Sequence, residues 1–191
     1  EPGATGGYEG RFFAARGSYK IPHEFERKID GLFYLTFTRV KSMPLIMVLK
    51  ALGMIKDEDI FKAVSETKNY DEVMLNLFEF VEIKTQDDAI DYIAKRIGIA
   101  QAKEIRTERT KEILDKYLLP NVGIDASERM VKAKNLCKML KKYIDVSTKH
   151  RDSDDKDHYM NKRIRMSGDL LLDLFRVNFK VLVGDMLYNF Q

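Results

Sequence analysis

Between Asp154 and Asp169 the chain reads DDKDHYMNKRIRMSGD, and four acids, four bases and one histidine crowd into those sixteen residues. Such side chains serve as metal ligands, as acids and bases in catalysis, or as partners for phosphate. Each of these chemistries demands a spacing. DSDDKD, from Asp152, starts as a calcium loop does, with Asp152 and Asp154 at the first and third ligand positions. The fifth position is Lys156, the sixth is Asp157 where the turn needs glycine, and the twelfth is Arg163 where a bidentate Glu should stand. Zinc hydrolysis wants paired histidines at ligand spacing, yet His23, His150 and His158 are scattered. There is no P-loop, no GxSxG, no dinucleotide glycine motif and no Asp-rich magnesium motif. The sequence therefore offers no catalytic residue, no metal ligand set and no complete active site of its own.

Phosphate recognition fits the residue types better. Lys162, Arg163 and Arg165 form a compact basic cluster with Lys156 nearby. Arg forks onto phosphate or a guanine edge, whereas Lys acts as a point charge. Asn161 both donates and accepts, and Asp157 can accept from a base amino group or aim a neighbouring cation. The alternative is a polar loop whose charges pair in water and contribute little; on spacing alone that is the commoner outcome. The Lys134, Lys138, Lys141 and Lys142 face has the same two readings, phosphate tracking or a solvated helix face. Cys137 falls on an apolar stripe and reads as core, His158 as a structural hydrogen-bonder, and the methionines as core fillers.

These residues must be held by a fold, and 191 residues suffice for one domain or two small ones. The hydrophobic fraction is 45% and the net charge is +3, so any basic surface is local rather than global. The single cysteine excludes an intrachain disulfide and points to a reducing compartment. No apolar stretch of spanning length is free of charge, and no signal peptide opens the chain. A chain starting at Glu1 with EPGATGG reads as an excised piece, with Glu1 to Gly7 mobile.

Ile21, His23, Phe25, Arg27 and Ile29 alternate as a strand, Asp30-Gly31 supplies a two-residue turn, and Leu32 to Val40 returns antiparallel. RFFAARGSY adds a third strand. From Ser42, a cap, MPLIMVLKALG forms a buried helix ending at Gly53. Helices follow from Asp57, over YDEVMLNLFEF, and over TQDDAIDYIAKRIG with Thr85 and Asp88 in capping-box spacing. KEIRTERTKEILDKYLLP makes another, ending before Pro120. Asp125 and Glu128 then open a helix with the stripe Met130, Ala133, Cys137, Leu140 and Ile144. The segment from Leu170 to Phe190 is a helix with one narrow polar stripe, Asp173, Arg176 and Lys180. It is either a central core helix or one that packs into a larger protein. The fold class is α+β, mostly helical, with a small N-terminal antiparallel sheet.

DDKDHYMNKRIRMSGDLLLDLFRVNF resembles the block at the end of the lobe domain in the second-largest subunit of multisubunit DNA-directed RNA polymerases. Asp157-His158, Asn161-Lys162-Arg163, Gly168 and LFRVNF carry the likeness. MPLIMVLKALGMIKDEDI, DDAIDYIAKRIGIA, RTKEILDKYLLPNVG and ERKIDGLFYLTF are similar to further lobe segments in the same order, so the resemblance covers residues 11–191. The Asn161-Lys162-Arg163 wording is nearer to archaeal chains.

The resemblance implies a flexible segment or linker at 1–10, a lobe at 11–167, and at 168–191 a helix leading back to the protrusion domain. It implies a non-catalytic wall of the DNA cleft that contacts downstream or non-template DNA. Its partners would be the rest of the same subunit, other polymerase subunits and general transcription factors, in the cytoplasm and away from membranes. Nucleotidyl transfer and its magnesium belong to the complete enzyme; this segment alone is expected to be inactive and without cofactor. In bacterial relatives the matching acid and bases hold a non-template base at the downstream fork. That carries to Asp157 and Lys162, with Arg163 and Arg165 as neighbours. Lys162 stands where the bacterial pattern has Arg, which exchanges a planar fork for a point charge at the position of guanine recognition, and Met160 stands where Gly or Ala is usual. Two rivals remain: an architectural interaction domain without DNA contact, and a free-standing DNA-binding regulator.

Overall fold

A computed structural model describes residues 9–16, 19–38, 40–65, 71–155, 157–162 and 164–190. The expected mobile stretch Glu1 to Gly7 lies outside the described residues. The chain divides into two compact units, residues 1–152 and 153–191.

The first unit opens with a four-stranded antiparallel meander in the order β1 (Glu9–Arg16), β2 (Tyr19–Arg27), β3 (Phe33–Phe37) and β4 (Val40–Pro44). The alternation in β2 works as the sequence implies, because His23 and Phe25 point into the core. The turn differs from expectation. Phe33 pairs with Arg27, Gly31 N–H donates to the Lys28 carbonyl (2.9 Å) and Lys28 N–H to the Leu32 carbonyl (3.2 Å). The loop therefore has three residues, 29–31, and only Gly31 is left-handed, at φ 79°. A turn closed by a glycine bulge of this kind needs one positive φ, not two. Ile29, expected to extend the strand, sits at the loop tip and is 99% exposed.

The next departure is β4, where the sequence suggests that Leu32 to Val40 is one strand and that a helix starts at Ser42. Thr38 (φ 46°) is left-handed at the turn where the chain folds back, and Ser42 (φ 45°) is left-handed within β4, where the β3–β4 register shifts. Ser42 N–H donates to the Thr36 hydroxyl (2.9 Å) and Ser42 is part of β4, so the N-cap position of the following helix falls to Pro44. Helix α1 (Leu45–Ala51) begins three residues later behind Pro44. Every residue of α1 is buried. Each large apolar side chain so covered is worth about 1.5–3 kcal/mol.

Helices α2 (Asp57–Val64), α3 (Asp71–Glu79), α4 (Gln86–Ile97), α5 (Lys103–Tyr117) and α6 (Arg129–Ser147) complete the unit. Thr85 caps α4 by accepting from Asp88 N–H (3.2 Å), as its spacing predicts. Along α6 the stripe Ala133, Cys137, Leu140 and Ile144 is fully buried, but Met130 at its start is exposed. Tyr143 of α6 meets the Phe33 ring edge-on (5.9 Å) and leans on Phe25. Gly10 of β1 passes so close that a Cβ there would lie 3.1 Å from the Tyr143 ring.

Buried polar groups tie these elements together. Lys50 of α1 is 2% exposed and donates to the carbonyls of Phe80 (2.8 Å) and Ile83 (3.0 Å), with the Asp57 carboxylate 3.1 Å away. Two hydrogen bonds and one opposite charge thus meet the buried ammonium, which is costly to bury without such partners. Lys132 of α6 is likewise buried and donates to the Asp115 carbonyl (2.5 Å) near the end of α5. Asn76 of α3 accepts from Phe33 N–H (2.8 Å) and donates to the Gly31 carbonyl (3.2 Å), clamping the β2–β3 loop.

His23 is fully buried, stacked between Phe12 (4.8 Å) and Phe37 (5.8 Å). Its Nε2 accepts from Leu119 N–H (3.2 Å), and Nδ1 lies 3.0 Å from the Ile21 carbonyl. A ring accepting at one nitrogen and donating at the other is neutral. Burial lowers its pKa to about 4, with Lys132 adding a smaller push in the same direction. Burial also pushes the Cys137 thiol up to about 12, so it stays protonated, as its core position implies.

Candidate nucleic-acid interface

The basic cluster lies in the second unit, on the loop that leads into α7 (Ser167–Asn189). Local hydrogen bonds shape the loop. The Asp155 carboxylate accepts from Asp157 N–H (2.8 Å), and the Asp155 carbonyl accepts from His158 N–H (3.3 Å). This is the side-chain turn that Asp favours. His158 Nδ1 then accepts from Met160 N–H (3.2 Å) and caps a single 3₁₀ turn, Tyr159–Asn161. His158 is thus a structural hydrogen-bonder, in line with its sequence context. Lys162 N–H closes the turn on the Tyr159 carbonyl (3.2 Å). Asp169 accepts from Met166 N–H (3.1 Å) and starts α7.

This framework brings some of the expected residues together. Lys162 Nζ stands 3.9 Å from the Asp157 carboxylate, with side chains 52% and 79% exposed respectively. A pair so open to water is weak, and a phosphate could compete for the ammonium. Arg165 does not join them; its guanidinium pairs with Asp173 of α7. Asn161 is the last residue of the 3₁₀ turn. Arg163 and Lys156 lie outside the described residues.

The structure adds one residue that charge counting passed over. Tyr159 is 89% exposed, and the Lys162 ammonium lies 5.9 Å from its ring. An exposed aromatic face beside a cation is the pairing used to stack an unpaired base over a neutralised backbone. Its signal in the sequence is only adjacency, Tyr159 three residues before Lys162. Among the described residues no group of three or more His, Cys, Asp or Glu is placed to hold a metal ion.

Within its own unit, helix α7 buries none of its residues. Leu174, Val177, Phe179, Val181 and Leu187 all keep more than half of their surface open. Phe175 and Phe179 stack on each other (5.5 Å). Among the described residues no helix is long and apolar enough to cross a membrane.

Residues 15–165 match the family described as RNA polymerase Rpb2, domain 2. The chain is 37% identical over 196 aligned residues to the DNA-directed RNA polymerase subunit Rpo2 of Saccharolobus solfataricus, an alignment that covers all of this chain and 17% of that protein. Subunit Rpo2N of Methanocaldococcus jannaschii is 35% identical, over 95% of this chain and 37% of its own length. Rpo2N of Halobacterium salinarum is 35% identical, over 94% of this chain and 35% of its own. The chain thus spans between about a sixth and somewhat more than a third of these relatives. The family match takes in Asp157 to Arg165 and ends just before α7.

Proposed function

Because the chain belongs to the RNA polymerase Rpb2 domain 2 family, the lobe of the second-largest subunit, we propose that it forms a non-catalytic wall of the DNA channel in an archaeal-type polymerase. The basic loop contacts downstream or non-template DNA through Asp157, Asn161, Lys162, Arg163 and Arg165. The observation that carries this reading is the Lys162 ammonium, on a side chain about half exposed, beside an exposed Tyr159 ring. Lys162 neutralises phosphate, Tyr159 offers a stacking face, and Asp157 aims the ammonium until DNA replaces it. Lacking the guanidinium fork, Lys162 meets DNA as a point charge. Nucleotide addition and its magnesium reside elsewhere in the enzyme, whose other subunits and general transcription factors are the lobe's neighbours.

The exposed circumference of α7 supports a second part of the reading. One large apolar side chain left in water forgoes about 1.5–3 kcal/mol of burial, and α7 presents many. In this proposal it packs against another part of the same subunit and anchors the lobe.

The test is Lys162→Ala with Arg163→Ala in the assembled polymerase. Open-complex lifetime should shorten more than the rate of single-nucleotide addition falls, and more so at high salt. Equal loss of both would refute a DNA-holding role.

A further inference from the structure

Helix α6 carries a charge pattern that the loop does not explain. From Arg129 to Ile144 there are six bases and no acid, in a chain whose total charge is nearly balanced. Two of the six are consumed by the fold: Arg129 pairs with Asp115, and Lys132 is buried against the end of α5. Lys134, Lys138 and Lys142 remain exposed, at i, i+4 and i+8 along one line. Lys141 lies beside them, and Asp145 is the first carboxylate to follow. Elsewhere in this unit Lys62 faces Glu58, Lys95 faces Asp91 and Lys111 faces Asp87. Among the described residues, no ion pair engages Lys134, Lys138 or Lys142.

Three like charges spaced about 6 Å apart along a helix repel one another. A polyanion lying along them removes that cost. The chemistry of the stripe narrows the class of polyanion. Between Lys134 and Lys142 it has no exposed aromatic ring to stack an unpaired base and no Arg to fork onto a base edge. It has no apolar pocket either: Met139, the large apolar residue in that interval outside the buried face, packs against the core. An acidic peptide would depend on such an anchor. What remains is a row of point charges about 12 Å long, matched to roughly four successive phosphates of one strand at ~3.4 Å of axial rise each.

We propose that Lys134, Lys138 and Lys142 of α6 form a sequence-independent docking surface for the phosphate backbone of duplex nucleic acid, separate from the loop around Lys162. The proposal rests on the reading that this chain lines a DNA channel.

The test uses the assembled polymerase carrying this chain and a promoter-free DNA duplex, with binding measured between about 50 and 200 mM salt. If all three lysines touch phosphate, the K134Q/K138Q/K142Q variant has a salt slope shallower by up to about 2.7, so its affinity falls ~40-fold less than that of the parent enzyme across that range. K134R/K138R/K142R keeps the parent slope, which separates charge from helix shape. An unchanged slope in the glutamine variant overturns the proposal. So does loss of another subunit from its purified enzyme, which would assign the stripe to an acidic protein partner. The Lys162→Ala/Arg163→Ala enzyme, assayed alongside, separates the two failures. If it shortens open-complex lifetime while the stripe variant keeps its slope, only the stripe proposal falls; if neither responds, the DNA-facing reading falls with it.

Discussion

His23 makes the first unit acid-labile by a calculable amount. The ring is held neutral between two aromatic rings, and its pKa falls from 6.5 to about 4 in the folded chain, chiefly through burial. An unfolded chain takes up the proton near pH 6.5, whereas the folded chain resists until about pH 4. The contribution is therefore fully present above pH ~6.5, is lost as pH falls through the window, and changes no further below about 4. The ceiling is about 3.4 kcal/mol, at 1.36 kcal/mol per pKa unit, and the loss by pH 5 is about 2 kcal/mol. Carboxylates also titrate in this range, so the comparison must be differential. Urea unfolding at pH 7.5 and pH 5 is measured for the chain and for His23→Gln, which cannot titrate. The parent should lose about 2 kcal/mol more than the variant between the two conditions. Equal losses, or a His23 imidazole titrating near pH 6.5 by NMR, would refute the assignment of a neutral buried ring.

Three other outcomes are expected. Lys50→Met leaves the Phe80 and Ile83 carbonyls without their common donor and Asp57 without its counter-charge, and should cost about 3 kcal/mol in chemical unfolding. Thr85→Ala removes the cap on α4 and should cost about 1 kcal/mol by the same measurement. The isolated chain should self-associate through α7 at high concentration in sedimentation experiments, and Leu174→Lys with Val181→Lys should return it to monomer; a monomeric parent chain would contradict the docking role given to that helix.

Elements whose signals are local were readable from the residues alone. Thr85, Asp88 and Gly98 bracket α4 because caps act within a turn of the helix they bound. Strand β4 was not readable. It depends on Thr38 and Ser42 adopting positive φ, which their residue types do not advertise, and on a hydroxyl six residues away satisfying Ser42 N–H. Lys50 and Lys132 were invisible for a different reason. A lysine in sequence signals solvent, and only the carbonyls that gather around it from distant segments permit its burial. In the loop, residue types left phosphate contact and a solvated charge run both open, and did not say which side chains would meet. Asp157 and Lys162 converge because the 3₁₀ turn reverses the chain between them, whereas Arg165 is drawn away to Asp173.

The meander has a kinetic consequence. Each strand of the sheet neighbours the one before it in sequence, so every pairing closes a short loop and needs no segment yet to be made. Hairpins of this kind form in roughly 1–10 μs, and low contact order favours rapid folding. On the ribosome the sheet can therefore assemble while the later helices are still being synthesised. The step that must wait is the meeting of His23 with Leu119, 96 residues downstream, and until then a growing chain carries a formed sheet with one open flank.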